Sequence, residues 1–333
     1  MSQSILTVDE AKAAIAGGRV LLLAGDETVL RSLPKGAWVG GTIPYFMSKK
    51  FGGLASKDMV FATDLTEIVA SWELQRYDAE SVAQVYVKAP ENGFSFIIIP
   101  ATSPTHLSFA LNAPNYEQFG VRPLVGWISG VHLEDLGKVT PKVFDGQTGE
   151  GIEDGALVMA VTLPAGKAAS LGIVNLFEQG AGDTLTFPES GFATQDVFVN
   201  GKRTNFAHYL TEKQLDTKLP LVADYYGASV NISFQSVDAE KGVVNFYAPV
   251  FSGIRYKYAK PVADYVTDFK DKLAQDCTLD DTRLVFSCNC ILNYLYSELE
   301  GKKTEPFVGP ITFGEIAYQL LNQTLVYVEL HDV

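Results

Sequence analysis

The residues best placed to do chemistry lie near the end of the chain, where Ser287-Cys288-Asn289-Cys290 follows a short apolar run and Thr312 stands three residues before Glu315. A thiol at the point where a strand enters a helix can have its pKa lowered and become a nucleophile. Cys288 therefore supports one reading, a thiol-dependent enzyme. Nucleophilic catalysis also needs a base, and none of His106, His132, His208 and His331 falls in a recognisable nucleophile–base motif. Free cysteine is among the most buried residue types, which favours Cys288 as part of a wall. Cys288 and Cys290, taken with Cys277, lack the spacing and second ligand pair of a zinc site. No cofactor is expected on these grounds. Haem is the alternative, since His106 and His132 follow predicted strands and could offer an axial ligand.

A second chemistry is anion binding. Thr312 with Glu315 ahead of Ile316 and Ala317 has the form of a capping box, and Thr42 follows Val39-Gly40-Gly41 in the same way. If each threonine opens a short helix, the free backbone N–H groups there favour a carboxylate. The expected ligand contacts are Thr42 and Tyr45 on one side and Cys288, Asn289, Thr312 and Glu315 on the other. Thr and Asn would offer hydrogen bonds and Glu315 would receive an ammonium. No phosphate-binding loop, dinucleotide fingerprint, zinc-protease or serine-hydrolase motif occurs.

The elements that must position these residues read as mixed α and β. Thr7-Val8-Asp9-Glu10 is a capping box, with Gly17-Gly18 as the stop. A strand follows at 20–24 and another over 38–45. The spacing of Leu65, Ile68, Val69 and Trp72 predicts a helix from Asp64. Strands are expected at 95–100 and 124–130 with a helix at 106–111 between them, and short strands at 142–145, 156–163, 171–177 and 184–187. Asn200-Gly201 marks a hairpin after 196–199, and 230–237 with 243–250 form another. Apolar positions from Tyr258 to Leu273 predict the longest helix, 258–275. The end reads as strand 283–287, helix 290–299, a strand, a short helix from Thr312, and a last strand 323–330. Val-Gly recurs at Val39-Gly40, Val125-Gly126 and Val308-Gly309, and this echo predicts two related halves meeting near 190–205.

Composition bounds the function. The chain has 333 residues, 47% of them hydrophobic, enough for a large core and two domains. No apolar run approaches the roughly 18 residues a membrane helix needs, and Met1-Ser2-Gln3-Ser4 lacks the basic start of a secretory signal. Three cysteines, an odd number, do not make a disulfide framework. A cytoplasmic protein is expected. A net charge of −13 without a basic stripe argues against nucleic acid, and no membrane is expected as a partner.

Several of these segments resemble the FIST sensory domains, a family with an N-terminal and a C-terminal module. The resemblance rests on Val285-Phe286-Ser287-Cys288-Asn289, Pro306-Phe307-Val308-Gly309, Thr312-Phe313-Gly314-Glu315-Ile316 and Asn322-Gln323-Thr324, and more loosely on Val39-Gly40-Gly41-Thr42, Phe144-Asp145-Gly146 and Asp154-Gly155-Ala156. The chain departs from that pattern at Cys290-Ile291-Leu292, where a glycine and an arginine are usual, and at Pro44-Tyr45, where the first turn would end in Gly-Glu. The resemblance implies modules at 1–195 and 196–333, tightly packed as an α+β fold with mixed, mainly antiparallel sheets covered by helices. It further implies a non-enzymatic sensory protein of signal transduction whose ligand is an amino acid or similar small carboxylate. Since the pattern fills the chain, signalling would pass through a separate protein. The alternatives are the Cys288 enzyme, a haem-based gas sensor and a purely structural partner-binding role.

Overall fold

Three strand–helix–strand units organise the computed structural model, which describes residues 2–225, 228–276 and 283–333. The first joins Leu21–Gly25, helix Glu27–Arg31 and Trp38–Thr42. The second joins Gly93–Pro100, helix Pro104–Asn112 and Leu124–Ser129. The third joins Leu284–Cys290, helix Ile291–Tyr296 and Gly309–Thr312. In each unit the two strands pair in parallel, and every other named strand pair is antiparallel among the described residues. The fold is broadly α+β and sheet-rich, with mixed sheets.

Each unit is extended on both sides into a six-stranded sheet. The first sheet adds Ser2–Thr7 and Met59–Asp64 beyond one strand and Val143–Asp145 and Glu150–Ile152 beyond the other. The second runs Gln319–Leu321, Glu315–Ala317, then the unit's two strands, then Ala156–Thr162 and Ser71–Tyr77. The third holds Lys167–Val174 and Leu325–Asp332 on one flank and Tyr45–Ser48 and Gly52–Ala55 on the other. Strands distant in sequence are thus neighbours: Gly309 pairs with Met47, and Glu315 with Trp127. Five of the six parallel strands are buried along their whole length and the sixth, Gly93–Pro100, at every residue but its first, as strands covered on both faces must be. Residues 185–258 form two further antiparallel sheets.

Local chemistry accounts for several elements. The Thr7 hydroxyl accepts from the Glu10 N–H while the Glu10 carboxylate accepts from the Thr7 N–H, and helix Val8–Ala16 starts there. Asn200 and Gly201 adopt φ of 49° and 84°, closing Asp196–Val199 onto Lys202–Asn205. The hairpin of Phe234–Asp238 with Val243–Val250 also forms.

Four expectations are corrected. No helix begins at Asp64: that residue ends a strand paired on both sides, its carboxylate accepts from the Thr66 N–H to make a turn, and Trp72 lies in strand Ser71–Tyr77. Neither Thr42 nor Thr312 caps a helix, since each is the last residue of a parallel strand and an extended segment comes next. Strand Leu284–Cys290 runs through the whole Ser287–Cys290 stretch, so Cys288 is a mid-strand residue and Cys290 occupies the helix N-cap position. The long helix starts at Tyr265, because Tyr258 pairs with Leu221 in a sheet. Cys277 lies outside the described residues.

Candidate functional site

Four of the six residues expected at a ligand site do come together, in a closed polar network between the second and third sheets. Glu315, on its short strand, has no exposed surface; its carboxyl accepts from the Thr324 hydroxyl at 2.9 Å and the Thr324 N–H at 3.2 Å. Its other oxygen lies 3.4 Å from the Thr312 hydroxyl, which itself reaches the Gly314 carbonyl at 3.1 Å. The Cys290 thiol lies beside the same carboxyl. Asn289 accepts from Asn293 at 2.9 Å beside the buried Tyr265, and the Cys288 thiol meets the Gly126 carbonyl at 3.6 Å. Burial raises the Glu315 pKa to about 8, so at neutral pH the carboxyl is largely protonated and is a poor acceptor for an ammonium.

Thr42 and Tyr45 do not join this network. The Thr42 hydroxyl is tied to the Lys142 backbone, accepting from its N–H at 2.9 Å, and the residue backs a hollow of ≈ 300 Å³ edged by Asp26, Asp58 and Asp135. The Tyr45 hydroxyl accepts from the Leu133 N–H at 3.1 Å, with the ring stacked on His132.

The thiols are not arranged as reagents. Cys288 and Cys290 are each 1% exposed, and burial, helped by the neighbouring Glu315, pushes both thiols well above their ordinary pKa. They are held as thiols, and thiols are far weaker nucleophiles than thiolates. With Cys277 replaced by serine, native protein at neutral pH is expected to take up no iodoacetamide on the experimental timescale. Denatured protein should take up label at Cys288 and Cys290, as intact mass would report.

A more open feature lies at the carboxyl ends of the second unit's parallel strands, where ligands bind in open α/β sheets. It is a cavity of ≈ 530 Å³, within the range of small-molecule sites. One wall is the turn from strand Gly93–Pro100 into its helix, bearing Thr102 and His106; another is the segment 131–141 beyond the partner strand. Phe192, Phe246 and Phe313 supply aromatic walls from three distant parts of the chain. Ser103 caps the helix through the His106 N–H. Thr102 has φ of 63°, a conformation β-branched residues rarely adopt, and such strain gathers at functional turns.

His106 is the unusual residue of this wall. It is 7% exposed, and burial lowers its pKa to about 4, so the ring is neutral at pH 7. Nδ1 accepts from the Thr102 N–H at 3.1 Å. A backbone N–H can only donate, so the proton of the neutral ring is on Nε2. That buried Nε2–H has no acceptor among the described residues. The same tautomer bears on haem, because an axial ligand needs a lone pair on the nitrogen that meets the iron. His106 has none at Nε2, so this ring does not fit an axial ligand, whereas His132 is a partly exposed ring whose Nδ1 lies 3.4 Å from the Glu134 backbone nitrogen.

Residues 6–331 match a family of unknown function, DUF6976. The chain belongs to that family. The match spans nearly the whole chain and corrects the resemblance to FIST sensory domains, which has no counterpart in the family comparison. The short Val-Gly and Ser-Cys-Asn matches behind that resemblance lie in buried strands, where packing alone calls for such residues. No curated protein and no solved structure matched the chain. Among the described residues no helix is long and apolar enough to cross a membrane, and no group of His, Cys, Asp or Glu is arranged to hold a metal ion.

Sequence alone marks His106 as a haem candidate and not as a residue of this cavity. The available signal is Ser103-Pro104-Thr105 directly after an apolar strand, a helix start at a strand's carboxyl end. The aromatic walls carry no local signal.

Proposed function

We propose that this chain is a small-ligand-binding protein and not an enzyme, with its ligand in the cavity beside His106. The observation that carries this reading is the buried Nε2–H of His106, left without an acceptor in the wall of a cavity. An unpaired buried donor costs about 1–3 kcal/mol, and a ligand carrying an acceptor recovers that energy. A small carboxylate-bearing molecule is the ligand class, and the role is a sensory one in the cytoplasm, passed on through a separate signalling protein. In the same reading the chain works as two tightly packed modules, 1–195 and 196–333, whose helices cover their sheets. His106 and Val131 would then wall the cavity from one module and Phe246 and Phe313 from the other.

Thermal unfolding across a library of carboxylic acids and other metabolites at millimolar concentration tests this. A ligand present at one hundred times its Kd is expected to add ~2.7 kcal/mol to the stability of the wild type. His106→Asn keeps an acceptor for the Thr102 N–H but, being shorter, places no donor at the Nε2 position, and should lose at least tenfold in affinity for the same ligand. A library in which nothing stabilises the wild type, or hits indifferent to His106→Asn, would count against the cavity.

A further inference from the structure

We infer that the ligand is a monocarboxylic acid with a rigid, apolar, preferably aromatic body and an uncharged acceptor at the end away from the carboxylate. This rests on the reading that the cavity beside His106 is a ligand site.

Charge decides the first part. The chain has 39 acidic and 26 basic residues, yet no carboxylate lines this cavity, and Lys138 is the only lining residue charged at neutral pH among those described. Lys138 stands on the exposed segment between residues 131 and 141, its ammonium donating to the Glu134 carbonyl at 2.9 Å. The nearby Asp135 is bound by Lys57 at 2.6 Å, which leaves Lys138 able to meet an incoming anion. A cationic ligand would find no counter-charge in the cavity. A free amino acid therefore fits poorly, since its ammonium would be buried unpaired or held out of the site.

Burial decides the orientation. The neutral His106 ring is set in the buried wall with Ala101, Val131 and Phe246. A carboxylate placed there would lose its hydration against a single neutral N–H, an exchange that leaves a buried ion uncompensated. An uncharged acceptor such as a phenol oxygen or a carbonyl has no such cost. The carboxylate accordingly stays at the mouth beside Lys138.

Besides His106 and Lys138 the lining is mainly apolar, with Thr102, Thr140 and Gln235 as its other polar side chains. Phe192, Phe246 and Phe313 line the cavity, and rings of this kind favour an aromatic partner through offset or edge-to-face contact. The mouth is apolar too. Of the ten large hydrophobic side chains exposed among the described residues, Leu107, Leu136, Val139 and Tyr247 all border this one cavity. Exposed apolar surface gathered around a cavity marks a place where something apolar binds.

The test uses naphthoates, whose own fluorescence reports binding. The probe is a hydroxynaphthoate with its hydroxyl at the far end of the rings from the carboxylate, and the comparisons are its methyl ester, the naphthoate without the hydroxyl, and a naphthylmethylammonium. The wild type is expected to bind the hydroxy acid about threefold to fivefold more tightly than the ester, as an exposed ion pair allows, and to show no binding of the ammonium. Lys138→Met lies on the surface and should weaken the acid by that same factor while leaving the ester unchanged. His106→Asn should weaken the hydroxy acid and not the naphthoate lacking the hydroxyl. Equal binding of acid and ester, or an equal effect of Lys138→Met on both, overturns the carboxylate assignment while the cavity remains a binding site. Failure of every naphthyl probe to bind the wild type overturns both this inference and the cavity reading.

Discussion

Gly126→Ala and Gly309→Ala are each expected to destabilise the protein by at least ~4 kcal/mol, enough to remove most of the stability of an ordinary domain. A Cβ added at Gly126 would lie 1.7 Å from the Ile97 carbonyl oxygen, and one at Gly309 1.8 Å from that of Ser287. In both cases the atom struck belongs to the backbone of the parallel partner strand, so no side-chain rotation relieves the overlap. The strands would have to separate, breaking the ladder at the centre of the second and third sheets. Ordinary overpacking costs ~1–3 kcal/mol because side chains give way, and a displaced strand is worse. Gly40 serves as the internal control. It holds the same place in the first unit, but its added Cβ would sit 3.1 Å from the Leu23 carbonyl and 3.3 Å from the Trp38 ring, a contact that a small shift relieves. Gly40→Ala should therefore fold with a loss of ~1–2 kcal/mol. Soluble yield and urea unfolding of the three variants decide the matter. Equal behaviour of all three would show that close strand approach is not what the glycines provide.

That series gives physical content to a feature visible in the sequence. Val39-Gly40, Val125-Gly126 and Val308-Gly309 read as a repeated strand-to-turn pattern, and the structure shows three parallel pairs brought close at their glycines. The number of units is hidden in the sequence because their helices are short and differ in length. Glu27–Arg31 and Ile291–Tyr296 span five and six residues, too few for a helical period to stand out. The partner strands are hidden for a different reason: Tyr45–Ser48 pairs with Gly309–Thr312 across more than half the chain, and no local pattern encodes that. Thr312 and Glu315 show how one spacing can serve two structures. A hydroxyl three residues before a carboxylate caps a helix at Thr7 and Glu10, where both backbone bonds form. At Thr312 and Glu315 the same two groups meet across a bend between two strands. The residues downstream make the difference: Ala11, Ala14 and Ile15 continue a helix, whereas Gln319–Leu321 folds back on Glu315–Ala317 as a hairpin. The candidate cavity is the least legible part, since Phe192, Phe246 and Phe313 converge only through the fold.

The buried Glu315 leads to the other large effect, a loss of stability with rising pH. Its ordinary pKa of 4.5 is raised to about 8 in the folded protein, chiefly by burial. A carboxyl whose folded pKa lies above its unfolded one binds its proton more tightly when folded. Its contribution is complete below about pH 4.5 and is lost as the pH climbs to about 8, where the folded protein must carry a buried charge. At ~1.4 kcal/mol per pH unit the difference is on the order of 5 kcal/mol. The hydrogen bonds support the protonated form. One carboxyl oxygen accepts from the Thr324 N–H and hydroxyl, and the other, carrying the proton, can donate to the Thr312 hydroxyl, which donates onward to the Gly314 carbonyl. Glutamine reproduces this arrangement, with its carbonyl toward Thr324 and its amide toward Thr312. Glu315→Gln is therefore expected to match the wild type near pH 5 and to exceed it by several kcal/mol at pH 9. Glu315→Ala leaves the Thr324 donors buried and unpaired and should stand ~3 kcal/mol below Glu315→Gln at any pH. Urea unfolding of the three proteins from pH 5 to pH 9 separates the cases. If the wild type and Glu315→Gln keep the same difference across that range, Glu315 does not hold its proton in the folded state. The network would then be a buried ion held by threonine hydroxyls.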